Sequence, residues 1–192
     1  MVPDAALTHD DEPMSDVQGT IRPIFKDWQT YNDAIVEAVG AMTDEQLAIR
    51  SAPDRMPIWA VVGHLAGMRV YWLCAVIGEP GAETTPFPDP MNGGWEDDED
   101  HPRHATELVT AMETTWRVVD GCLGRWTLDM LDTLFVREMS TGTQHHSRRQ
   151  ILMRMLTHDA YHAGELSQTL GIHGLPQIDL WKPDKVTNPR AG

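Results

Sequence analysis

Apolar residues near the start of the chain recur at three- and four-residue steps: Ile21, Phe25, Trp28, Ile35, Val39 and Met42, with polar Asn32 in the remaining slot. That spacing predicts an amphipathic helix with one stripe toward a core. Thr43-Asp44-Glu45 and the Pro53/Pro57 pair punctuate a connection, and Pro57 suits a helix start because its missing N–H is no loss in the first turn. From Ile58 to Ile77 apolar residues fall on most sides, as expected of a helix that is buried or lies at an interface. A third helix is written in Ala105, Leu108, Met112, Thr115, Val119 and Cys122. The last, from about Ser147 to Leu170, carries Ile151, Met155, Leu166 and Leu170 on one stripe and stops at Gly171.

The segments between are different. Residues 78–103 hold Pro80, Pro86, Pro88, Pro90 and Pro102 together with the acidic run Glu96-Asp97-Asp98-Glu99-Asp100, which reads as a long loop with a solvated charged face. The run lacks the glycine and terminal Glu spacing of a calcium-binding EF-hand loop. Residues 124–147 are mixed, with extended character at Arg125–Thr127 and Leu134–Met139 and a turn at Thr141-Gly142-Thr143. Four long helices with few strand signals predict an all-α fold, an antiparallel four-helix bundle with long loops and irregular termini. The expected organisation is a loose acidic arm at 1–14, the bundle at 15–176 and an irregular tail at 177–192.

Charge removes some function classes. Fifteen Lys and Arg against 29 Asp and Glu leave a net charge of −14. That average field repels nucleic-acid phosphates and anionic membrane surfaces. Uninterrupted apolar runs fall short of the roughly 20 residues a membrane span needs, and the N-terminal residues lack a basic-then-apolar secretory pattern. The expectation is a cytoplasmic protein without nucleic-acid or membrane partners. Cys74 and Cys122 both sit among apolar residues and read as buried thiols rather than a disulfide framework.

The informative residues are the histidines. In the segment HDAYH, His158 and His162 stand four apart on the core-facing stripe of the last helix, so both imidazoles project from one face. His64 lies among apolar neighbours on the second helix. A buried imidazole needs a partner, and one shared divalent cation satisfies three; imidazole suits zinc, nickel, copper and iron. His9, His101, His104, His145, His146 and His173 read as surface residues, the pair His145-His146 included. The segment also resembles the zinc-protease helix HExxH, but Asp159 stands in place of the Glu base and Gln168 where the longer motif has its third histidine.

The stretch PIWAVVGHLAGMRVYWL, followed some way on by SRRQILMRMLTHDAYHAGELSQTLGIHGLP, resembles the DinB-like superfamily, which includes the YfiT-type metalloenzymes and the N-terminal domain of mycothiol-dependent maleylpyruvate isomerase. The resemblance runs from about residue 18 to 176 and departs from the commonest pattern at Asp159 and Ala163. It implies a four-helix bundle, often dimeric, with zinc or nickel held by His64, His158 and His162. It further implies a low-molecular-weight thiol as co-substrate in transferase or isomerase chemistry on a small molecule, or hydrolase chemistry related to it. The residues name no catalytic base. On a helix, Asp159 and Tyr161 point away from the face of His158 and His162; Asp159 reads as N-terminal or intersubunit structure and Tyr161 as packing against another helix. Trp59 and Trp72 on the second helix suit a homodimer interface and a buried core equally. The competing expectation is a non-catalytic, stress-related binding or dimerisation module whose histidines are vestigial or structural.

Overall fold

The computed structural model describes residues 19–180; the acidic arm and most of the C-terminal tail lie outside the described residues. The chain is mostly helical. Helix α1 spans Trp28–Gly40, a short α2 Asp44–Leu47, α3 Ile58–Val70, α4 Ala105–Leu123 and α5 Arg148–Ile172. Helix α3 packs on α4 and α5, and α1 packs on the same two, so each of the four long helices lies against two others.

Ser147 opens α5 where the sequence predicts a helix start, whereas the Thr43-Asp44-Glu45 connection itself begins the short α2. Thr43 caps α2 and Ser147 caps α5, each in a reciprocal box with the Gln three residues on. Helix α3 does not end as an ordinary α-helix. It continues as a π-helical segment over Tyr71–Val76, which widens the turn and sets Tyr71 and Trp72 at the site described below. The stretch Ile58–Val76 is long and apolar enough to cross a membrane by length and composition, but 67% of it is buried inside the protein, as in a core helix.

The all-α expectation needs one correction. Strands β1, Leu134–Met139, and β2, Gly142–Ser147, form an antiparallel hairpin, with Phe135 opposite His146 and Arg137 opposite Gln144. Leu134-Phe135-Val136 supplies the β-branched and aromatic content a strand favours, and Gly142, at φ 129°, supplies the turn backbone that L side chains rarely adopt. Ser147 ends β2 and caps α5 at once, so the hairpin is fused to the helix that carries two of the three histidines. Past Pro176 the described chain stays on the body: Ile178 and Leu180 pack against the core, and the Ser167 hydroxyl donates to the Ile178 carbonyl.

The core divides into two apolar clusters, one around Ile35, Leu65, Met112 and Leu166, the other around Trp28, Trp72, Trp116 and Met155. On three helices the chain crosses from one cluster to the other at a polar residue: Asn32, Arg69 and Asp159, each no more than 2% exposed. They form one network. Arg69 donates to Asp159 Oδ2 at 2.7 Å and to Asn32 Oδ1 at 2.8 Å, while Trp28 Nε1 donates to the same Asp159 oxygen at 2.8 Å. Asp159 is therefore a core anchor inside one chain, not an intersubunit residue, and Asn32 on the apolar stripe of α1 is explained by the guanidinium it accepts from. Removing one member of such a pair leaves a buried charge uncompensated, typically at about 3–5 kcal/mol. Asp159→Ala is expected to lower unfolding free energy by about that amount in urea denaturation, and the apolar pair Arg69→Met/Asp159→Leu to recover most of it.

Candidate metal centre

His64 on α3 and His158 and His162 on α5 converge as their spacing predicted. One ring nitrogen from each lies within 4.8 Å of the other two. His64 Nε2 and His158 Nε2 are 3.0 Å apart, and the His158 and His162 ring centroids 4.5 Å. All three are half-buried to buried.

Two carboxylates fix the rings. Glu96 Oε1 accepts from His64 Nδ1 at 2.6 Å, and Glu165 Oε2 accepts from His162 Nδ1 at 2.8 Å. An imidazole that donates from Nδ1 carries its lone pair on Nε2, which is the arrangement of carboxylate–histidine–metal triads. Glu165 reaches His162 because it stands three residues on along the same helix. Glu96 arrives from the long loop, in a short 3-10 turn over Trp95–Asp97 that packs on α3. That approach is close: a Cβ on Gly63, one residue before His64, would lie 3.1 Å from the Cβ of Trp95. The acidic run is therefore not wholly a solvated face. Its first member is largely buried at the histidines, and Glu96 Oε2 has no partner among the described residues.

Electrostatics favour the neutral form of the two imidazoles on α5. Burial, with the fields of His162, His64, Arg69 and Arg154, pulls His158 down to about 3. Burial likewise lowers His162, opposed by its bond to Glu165. Metal ligation requires deprotonated imidazole, so these rings are in the competent form across the neutral range. The donor set tests well against a divalent ion. Zinc–nitrogen bonds run about 2.0–2.1 Å, which puts neighbouring ligand nitrogens somewhat over 3 Å apart, close to the His64–His158 spacing. Three imidazoles with ordered carboxylates behind them leave one or more positions of a metal open.

The space beside the histidines is also shaped. An open cleft is lined by His146, Arg154, His158 and Tyr161, and a small pocket of about 120 Å³ by Trp72, Arg154, His158 and Asp159. A further groove of about 230 Å³ runs past Tyr71, Glu96 and Arg137. The hairpin thus brings His146 to the cleft, against the Trp72 ring at 5.2 Å, rather than leaving it on a remote surface. It stays outside the three-nitrogen cluster. Burial and the charges of Arg154 and Arg137 hold His146 below its ordinary value. Tyr161 is exposed, with its ring edge-on to His162. Of the two thiols, Cys122 is buried and Cys74 half-buried; burial pushes Cys122 up to about 12. Sequence spacing missed Glu96, Arg137 and Arg154; Glu165, three residues past His162, was within its reach.

Two measurements follow. Glu96→Gln and Glu165→Gln are each expected to weaken zinc binding about 10–100-fold in competition with a chromophoric chelator. The pH dependence of the metal-free protein has a definite sign. The folded pKa of His158 lies below the unfolded value near 6.5, so the unfolded state takes up the proton first. Its contribution is whole above about pH 6.5 and is lost as pH falls toward the folded value. The stability difference between wild type and His158→Asn should therefore shift against wild type by on the order of 1 kcal/mol between pH 7 and pH 5 in urea titrations.

The sequence profile of the DinB superfamily matches residues 28–166, a span that holds all three histidines and both carboxylates. No curated protein matches the chain. Among solved structures, a DinB-like protein from Bacillus cereus ATCC 10987 superposes with a TM-score of 0.62 at 18% identity, covering 84% of this chain and 97% of that one. At that identity the likeness speaks for the fold alone, and the profile match carries the assignment: the chain belongs to the DinB superfamily.

Proposed function

We propose that this protein is a divalent-metal-dependent enzyme in which His64, His158 and His162 hold zinc or nickel and a low-molecular-weight thiol serves as co-substrate for S-transferase or isomerase chemistry on a small molecule. The observation that carries the reading is the convergence of three imidazoles, two of them oriented by carboxylates, beside an open cleft. A structural metal site is closed by protein ligands; three ligands with space beside them is the arrangement of a catalytic one. When bound, such an ion lowers the pKa of a thiol or water at its open position.

The chain's own residues supply the rest. Glu96 and Glu165 hold Nδ1 protons, which keeps both Nε2 lone pairs directed into the site. The Arg69–Asp159 pair fixes α3 against α5 beneath the histidines. Trp72, Met68 and Met155 wall the small pocket beside His158 with apolar surface and limit the water that reaches it. The same reading takes the four long helices as an antiparallel bundle, supported by their pairwise packing, and the protein as a homodimer, supported by exposed Leu134, Val136 and Met153 on the hairpin and α5.

Protein purified without added metal is expected to contain zinc or nickel near one equivalent by elemental analysis, and His162→Ala to lose it. Metal-loaded protein should turn over electrophiles with a small thiol and not without one. Full metal occupancy with no thiol-dependent turnover across a broad electrophile panel would leave a binding module in place of an enzyme.

A further inference from the structure

The net charge of −14 hides a local exception. Most described arginines face a carboxylate: Arg22 pairs with Asp120, Arg50 with Glu99, Arg125 with Glu79 and Arg149 with Asp132. Arg137 and Arg154 have no acidic partner among the described residues. They come from different elements, β1 and α5, yet their guanidinium carbons lie 5.1 and 4.9 Å from the ring of the same residue, Trp72. Arg137 is also held by Tyr71, whose hydroxyl accepts from its Nε at 2.6 Å. Two like charges gathered on one indole repel each other, and stacking on the ring offsets that only in part. An anion within reach of both would reverse the sign.

Their position relates the pair to the histidines. Arg154 precedes His158 by one helical turn and lines both the open cleft and the small pocket with it. Arg137 lines the adjoining groove with Tyr71. Of the carboxylates near these spaces, Asp159 is bonded to Arg69, Glu96 to His64 through one oxygen, and Asp97 accepts from the Gly94 amide. The planar fork of arginine matches a carboxylate through two parallel N–H bonds.

We infer that Arg137 and Arg154, seated on Trp72 beside the three-histidine site, form a subsite for the carboxylate of a small organic acid, which is the substrate or the carboxylate-bearing thiol of the proposed reaction. The inference rests on that reading for the reacting centre, but the subsite stands on the arginines alone and can be tested without metal. The probe is succinate, with uncharged succinamide as its control, titrated calorimetrically into metal-free protein at fixed ionic strength. Succinate is expected to bind at least tenfold more tightly than succinamide, and Arg154→Gln and Arg137→Gln each to remove most of that preference. Arg154 is exposed, so its variant tests recognition with little risk to folding; circular dichroism checks both. Equal binding of succinate and succinamide, or a preference that survives both substitutions, overturns the subsite. A second titration separates the two carboxylate sources. With metal loaded, mercaptosuccinate outcompeting 2-mercaptoethanol in an arginine-dependent way places the acid on the thiol; equal thiol affinities, with succinate still bound, place it on the acceptor. Protein that takes up no metal but retains arginine-dependent succinate binding would remove the metalloenzyme reading and leave the subsite intact.

Discussion

The approach of α3 to α5 at the level of His64 and His158 is the constraint on which the rest of the structure depends. Two imidazole nitrogens 3.0 Å apart on separate helices require those helices to be fixed in register to a fraction of an ångström. Apolar packing alone seldom does that, because hydrophobic contact is nondirectional. The fixing here is polar. Arg69 lies on α3, Asp159 adjoins His158 on α5, and a 2.7 Å ion pair buried between them ties one helix to the other. Trp28 and Asn32 bring α1 into the same network. The pair stands at the boundary of the two apolar clusters, where it breaks the freedom of the helices to slide.

A centre built this way places its chemistry in layers. Beneath the histidines is the ion pair; behind them are the two carboxylates that orient the rings; in front are the cleft and the arginine-bearing wall. Each layer draws on a different kind of element. The helices give the three imidazoles, because spacing along a helix is reproducible. The loop gives Glu96, and the small side of α3 at Gly63 admits it. The hairpin and the π-helical segment give Arg137, Tyr71 and Trp72, which pack together beside the histidines.

Periodicity was enough for the long helices because their apolar stripes repeat over many residues, and enough for His64, His158 and His162 because they fall on those stripes. It read Asp159 as pointing away from the histidines, whereas Asp159 falls with Met155, His162 and Leu166 on the buried side of α5 and meets Arg69 there. A helix packed on two sides hides a charge as readily as an apolar residue once a guanidinium meets it. The hairpin was faint in the sequence because each strand is short and largely exposed, so strict alternation is absent.

The sequence by itself determined which helices form and which three rings share their buried stripes, since both follow from local spacing along one chain. Only the tertiary structure decided that Glu96, more than thirty residues away from His64 and embedded in an acidic loop, supports that histidine. It alone gathered Arg137 and Arg154 on Trp72. Such pairings are made by the path of loops over packed helices, and a path through space leaves no period in the order of residues.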